Sequence, residues 1–279
     1  MAELNPPHAL IREVVSRALA EDLTPLGDLT AALVPPETSG KGALAARAEG
    51  VLAGRRCADE VYAQVDPRVE LTWRYDDGGE VGRGDVIAEI SGPLASILSG
   101  ERTALNFLCH LSGIASLTRR YVRTAHNQVR ILDTRKTTPG LRALEKAAVR
   151  AGGGANHRGS LSDFVLIKDN HLAGMSVADA VRRARLTWPG RTVEVECDRL
   201  EQVGEAVSAG ADIVMLDNMS PEQVAVCVEE VAGACLIEVS GGVTLDTIGD
   251  YARAGADLIS IGALTHSAPV LDIGLDLEG

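Results

Sequence analysis

The chain holds 279 residues, 46% of them hydrophobic and 24% charged, with 39 acids against 27 lysines and arginines and a formal net charge of −12. That length suits about two domains, the hydrophobic fraction excludes a disordered chain, and no run of about 20 apolar residues is present to span a bilayer. An acid excess of this size argues against a general nucleic-acid or anionic-membrane partner.

In chain order, residues Met1 to Leu10 lack a basic start followed by an apolar run, so no secretory leader is expected. Ala43–Ala48 and Val69–Arg74 alternate as strands do. The turn-rich stretch Asp76–Asp85 leads into a third strand-like run, Val86–Ile90. Glycine turns of this kind also occur in biotinyl and lipoyl carriers. Those need a lysine at a hairpin tip, and Lys41 is the only lysine in this part of the chain. The segment therefore reads as a β-rich structural layer. A helix is predicted from Ser99 to Leu111 and a second from about Ser116 to His126, with a domain boundary near residue 110.

Six apolar, β-branched runs follow: Val129–Leu132, Phe164–Ile167, Thr192–Val195, Asp212–Leu216, Cys235–Val239 and Asp257–Ile261. Helical stretches separate them, as in βα units with a buried parallel sheet. Six strands, or seven at most, are too few for a complete eight-stranded barrel. An incomplete α/β barrel is expected over 111–268, after an N-terminal domain over 1–110, with 269–279 returning to the first domain. Ala209-Gly210-Ala211-Asp212 and Ala254-Gly255-Ala256-Asp257 repeat one helix-to-strand turn, with glycine as a left-handed cap.

Each run ends in polar or small residues: Asp133-Thr134-Arg135-Lys136, Lys168-Asp169-Asn170-His171, Glu194-Val195-Glu196, Asp217-Asn218, Ser240-Gly241-Gly242 and Gly262-Ala263. Loops after the carboxyl ends of parallel strands converge on one face, where ligands bind. Charge is uneven across them. Arg130–Arg158 carries seven bases and two acids, while Glu194–Gly279 carries 17 acids and two bases. One side of the mouth suits anions. Glu196 and Asp217 offer the hard oxygens that suit Mg²⁺, directly or through water. Ser240-Gly241-Gly242 and Gly262-Ala263 fit a phosphate cradle. Gly152-Gly153-Gly154 is predicted to let His157 and Arg158 swing toward a ligand. It matches neither a P-loop nor a dinucleotide fingerprint. The five cysteines form no C-x-x-C pair and read as buried thiols in a reducing compartment, and the scattered histidines give no zinc pattern.

With these residues in view, the chain resembles the quinolinate phosphoribosyltransferase family. The resemblance rests on Glu101-Arg102-Thr103-Ala104-Leu105-Asn106, His110-Leu111-Ser112-Gly113, Asp133-Thr134-Arg135-Lys136-Thr137-Thr138-Pro139-Gly140, Gly153-Gly154-Ala155-Asn156-His157-Arg158, Ile167-Lys168-Asp169-Asn170-His171, Val193-Glu194-Val195-Glu196, Leu216-Asp217-Asn218, Glu238-Val239-Ser240-Gly241-Gly242 and Gly262-Ala263-Leu264-Thr265. It spans nearly the whole chain. It implies an α/β sandwich-like N-terminal domain and an open barrel of about seven strands. It also implies a cytoplasmic, Mg²⁺-dependent pentosyltransferase of NAD synthesis. The expected reaction takes quinolinate and 5-phosphoribosyl-1-pyrophosphate to nicotinate mononucleotide, pyrophosphate and CO₂.

The residues implied as catalytic are Lys136, Lys168, Glu196 and Asp217. Substrate binding is implied for Arg102, Thr134, Arg135, His157, Arg158, Ser240, Gly241, Gly242, Ile261, Gly262 and Ala263 as well. Family members are dimers in which the arginine matching Arg102 reaches the neighbouring barrel. The rival expectation is a paralogue on the same fold, of the molybdenum-transport-associated type, with a different substrate.

Overall fold

A computed structural model describes residues 6–126 and 128–278. The first five residues, part of the stretch read for a leader, lie outside them. The chain forms two compact units. One takes the residues through Arg119, Thr137–Gly153 and those from Ala263 on; the other takes Arg120–Lys136 and Gly154–Gly262.

The first unit opens with helix α1 (His8–Leu23), whose Ile11, Val15 and Leu19 are buried at fourfold spacing, one apolar stripe of a helix. Strands β1 (Ser39–Ala46) and β2 (Gly50–Val51), helix α2 (Arg55–Val65) and strands β3 (Glu70–Trp73), β4 (Glu80–Val81) and β5 (Val86–Pro93) follow. Lys41 lies within β1, which pairs along both edges, and not at a hairpin tip.

Helix α3 then runs unbroken from Leu94 to Thr124. The sequence suggested two helices here, one ending at Leu111 and one starting near Ser116, and Ser112-Gly113 falls between them. Both residues serve packing instead. Ser112 Oγ accepts from the Ala53 amide at 2.9 Å and donates to the Ala53 carbonyl at 3.1 Å. Gly113 lies under the carbonyl of Pro269, where a Cβ would stand only 2.1 Å from the oxygen. A glycine required by a close backbone approach looks, in sequence, like a helix end.

The second unit holds strands β6 (Arg130–Leu132), β7 (Val165–Ile167), β8 (Val193–Cys197), β9 (Ile213–Asp217), β10 (Leu236–Ser240) and β11 (Leu258–Ser260). Between them come helices α4 (Arg142–Ala151, part of the first unit), α5 (Asp169–Leu172), α6 (Val177–Thr187), α7 (Leu200–Ser208), α8 (Pro221–Val231) and α9 (Ile248–Arg253). Ser176 caps α6, and Ser220 with Gln223 forms a capping box on α8. Gly210 and Gly255, the expected left-handed turns, both have positive φ.

All six strands are parallel, in the order β6-β11-β10-β9-β8-β7. Aliphatic residues along these strands, among them Ile131, Val195, Val214, Val239 and Ile259, are buried. This sheet is the partial barrel. A seventh strand is replaced by one parallel bridge, Leu132 to Ala155, beside β6. After helix α10 (Ala263–His266), strand β12 (Ile273–Leu277) pairs antiparallel with β1 in a four-stranded sheet of order β12-β1-β5-β3.

Candidate active site

The carboxyl ends of the barrel strands enclose a cavity of about 580 Å³. Its lining includes Thr134, Arg135, Lys136, His157, Arg158 and Lys168 on one side, and Glu196, Asp217, Ser240, Gly241 and Gly242 on the other. Registry explains the gathering. Ser240 pairs with Asp217, and Glu196 pairs with Met215, so successive strands end at nearly one level. Period-two alternation puts Glu194 and Glu196 on the same face of β8, and Glu238 and Ser240 on the same face of β10.

Four cationic side chains meet at the first side. Burial and the neighbouring Arg135 hold the Arg158 guanidinium below its usual range. Crowded like charge of this kind favours an anion between the two groups. The Thr134 hydroxyl accepts from the Lys136 amide at 3.0 Å, which turns the chain sharply after β6. Lys168 forms an ion pair with Glu196, which stands beside it at the end of the neighbouring strand β8.

His157 and Arg158 do not ride on a swinging loop. The Ala155 amide donates to the Ile131 carbonyl at 2.8 Å. Asp133, fully buried, accepts from Asn156 Nδ2 at 2.6 Å and from the His157 amide at 3.0 Å. A Cβ at Gly152 would meet the Ala115 carbonyl at 2.4 Å, so that glycine admits a close approach of α3. The segment is clamped, and its glycines mark contact as much as freedom.

Two residues beneath the site carried no role in the sequence reading. His157 Nε2 lies 3.1 Å from Glu194 Oε2 and 3.6 Å from Glu238 Oε2, and both carboxyls are fully buried. Burial pushes Glu194 up to about 7, while burial and the facing Glu194 push Glu238 up to about 8. The signal was available in sequence: each is a lone acid flanked by buried aliphatics, in Val193-Glu194-Val195 and Ile237-Glu238-Val239.

Among the described residues, two places could hold a cation. The ligand atoms of His157, Glu194 and Glu238 lie within 4.8 Å of one another. Glu196 and Asp217 instead offer carboxylates alone, half-buried at neighbouring strand ends. A hard ion such as Mg²⁺ takes oxygen ligands and keeps several waters, which fits the second pair better.

The other expected site residues are placed as follows. The Ile261 amide donates to the Leu132 carbonyl at 2.9 Å, so it is committed to the barrel. Gly262 follows it at the end of β11, and Ala263 opens α10 in the first unit. Arg102 is exposed on α3, in the first unit.

An open α/β barrel whose mouth sets four cations against two carboxylates and a glycine turn defines an enzyme acting on small polyanions. Family models for the quinolinate phosphoribosyl transferase N-terminal and C-terminal domains match residues 28–112 and 114–276. The chain is 42% identical over 273 residues to a probable nicotinate-nucleotide pyrophosphorylase (carboxylating) of Bacillus subtilis, covering 97% of this chain and 94% of that one. It is 43% identical to the nicotinate-nucleotide pyrophosphorylase (carboxylating) of Mycobacterium leprae, covering 95% and 96%. The solved nicotinate-nucleotide pyrophosphorylase of Francisella tularensis superposes with a TM-score of 0.94 at 39% identity, covering 98% of each chain. The chain belongs to the quinolinate phosphoribosyltransferase family.

Proposed function

We propose that this enzyme transfers the phosphoribosyl group of 5-phosphoribosyl-1-pyrophosphate to quinolinate, releasing pyrophosphate and CO₂ and giving nicotinate mononucleotide for NAD synthesis. The observation that carries the reading is the single cavity in which Arg135, Lys136, Arg158 and Lys168 face Glu196, Asp217 and the Ser240-Gly241-Gly242 turn.

Quinolinate is a planar dianion. Guanidinium groups bind carboxylates in two-point fashion, and lysine adds compact charge. Arg135, Arg158, Lys136, Lys168 and His157 hold its two carboxylates and aim the ring nitrogen at C1 of the ribose. The small residues of Ser240-Gly241-Gly242, with Gly262 beside them, cradle the ribose phosphate. Glu196 and Asp217 hold Mg²⁺, directly or through water, and when bound that ion supplies charge to the pyrophosphate. The ring nitrogen bonds to C1 as the C1–oxygen bond to pyrophosphate breaks, and that electron pair leaves with the pyrophosphate. Lys136 and Lys168 stabilise the departing charge. The electron pair of the adjacent carbon–carboxylate bond then stays on that ring carbon, stabilised by the neighbouring pyridinium nitrogen as CO₂ departs, and a proton from water takes the place of the lost carboxylate. No side chain has to relay a proton in the transfer, so the protein acts through orientation and charge.

We also assign a homodimer in which Arg102 reaches the neighbouring cavity, and a cytoplasmic location. The five cysteines without disulfides support the latter, being the state a reducing compartment maintains. No helix among the described residues is long and apolar enough to cross a membrane.

Incubation with quinolinate, 5-phosphoribosyl-1-pyrophosphate and Mg²⁺ should release pyrophosphate and CO₂ in equal amounts. Lys136→Ala should abolish detectable turnover with an unchanged circular dichroism spectrum. Absence of product with the parent protein, or near-normal turnover in the variant, would overturn the assignment.

A further inference from the structure

Asn218 follows the last residue of β9 and was given no role above. It adopts φ +57°, a left-handed conformation that few residues with a Cβ take up and that Asn tolerates best. Three contacts radiate from it. Its side-chain Nδ2 donates to Asp217 Oδ2 at 2.7 Å. Its backbone amide donates to the Ser240 carbonyl at 2.9 Å. Its side-chain Oδ1 lies flat against Gly241, where a Cβ would stand 2.2 Å from it. Gly241 itself has φ +92°, so two left-handed residues on neighbouring strand ends are locked together.

Chemistry fixes the amide orientation. A carboxylate only accepts, so Nδ2 must face Asp217 and Oδ1 must face Gly241. One oxygen of Asp217 is thereby held, in a side chain that would otherwise rotate freely at a half-exposed strand end. The same residue ties that carboxylate to the Ser240-Gly241-Gly242 turn. Ligating carboxylates are commonly oriented by such hydrogen bonds, and small misplacements at a reacting centre carry large rate costs.

We propose that Asn218 is a positioning residue for the phosphoribosyl donor. It orients the Asp217 carboxylate and registers it against the glycine turn, so that the ribose end and the phosphate end of one ligand meet a single rigid frame. This rests on the reading of Asp217 and of the turn given under the proposed function.

Calorimetry on the full-length protein tests it without turnover. Binding of 5-phosphoribosyl-1-pyrophosphate with Mg²⁺, and separately of quinolinate, is measured for the parent, Asn218→Gly, Asp217→Asn and the double variant. Glycine keeps the left-handed backbone and removes only the amide. Asn218→Gly should raise the Kd of the donor at least fivefold and leave that of quinolinate within twofold. Added to Asp217→Asn, it should change donor affinity less than twofold, because it acts through a carboxylate already lost. Asn218→Asp, which also tolerates this backbone but offers no donor, should reproduce the loss and stands in if the glycine variant does not fold. Unchanged donor affinity in Asn218→Gly, equal weakening of both ligands, or losses that multiply in the double variant would each overturn the proposal. If Asp217→Asn itself binds the donor normally, the reading of Asp217 fails first and takes the proposal with it.

Discussion

Glu238 lies in an apolar strand between Ile237 and Val239, with no exposed surface. Burial and the facing Glu194 hold its proton up to about 8, while an unfolded chain releases it at about pH 4.3. Between those values the folded state binds more protons than the unfolded one, so stability falls as pH rises. Below the unfolded value there is no penalty, and above the folded value the loss is complete. Glu238→Gln removes this dependence. Its Tm should exceed the parent's by several degrees at about pH 8.5, and the gap should shrink at about pH 5. A gap that holds constant across that range in thermal denaturation would contradict the assignment. At this scale the cavity's rim was legible in sequence, because Arg135, Lys136, Lys168, Glu196 and Asp217 stand where apolar runs stop. Its floor was harder to read. Asp133, Glu194 and Glu238 act through burial and through partners 23 to 37 residues away or more, and spacing along the chain does not show such partners.

Among the elements, strands were the easiest to read and α3 the hardest. Buried parallel strands need continuous β-branched runs, and each predicted run overlaps an observed strand. A helix 31 residues long is interrupted in sequence by Ser112-Gly113, whose reason lies in residues 53 and 269. Gly113→Ala separates the two meanings of that glycine. If it were a tolerated helix interruption, alanine would stabilise by roughly 0.5–1 kcal/mol. Because a Cβ would overlap the Pro269 carbonyl and stand 2.9 Å from Val270 Cα, both backbone atoms, alanine should instead destabilise by about 1–3 kcal/mol. Urea denaturation reads the difference as a lower midpoint. A raised midpoint would show that the C-terminal segment yields.

Over the whole molecule, a net charge of −12 conceals a basic stretch from Arg130 to Arg158. The average describes the surface that solvent meets, while a small anion meets the local field of the cavity, so polyanionic substrates and an acidic protein are compatible. Assembly belongs to this scale too. Arg102 is exposed on α3, and the proposed dimer brings it to a neighbour's cavity. Arg102→Ala and Lys136→Ala should each be nearly inactive alone. Mixed after dissociation and reassembly, they should regain up to about a quarter of parental turnover, since one intact site forms in each mixed dimer and about half the dimers are mixed. No recovery in verified mixed dimers would show that each cavity is complete within one chain.

The single bridge from Leu132 to Ala155 leaves β6 without a full partner on that edge. A true strand in that position would send consecutive side chains to opposite faces, one into the barrel and the next away from it. The segment hung from Asp133 obeys no such alternation, and His157 and Arg158, adjacent in sequence, both line the same cavity. The missing strand is therefore what allows two neighbouring side chains to serve one ligand, and a complete sheet would have one fewer cation to offer it.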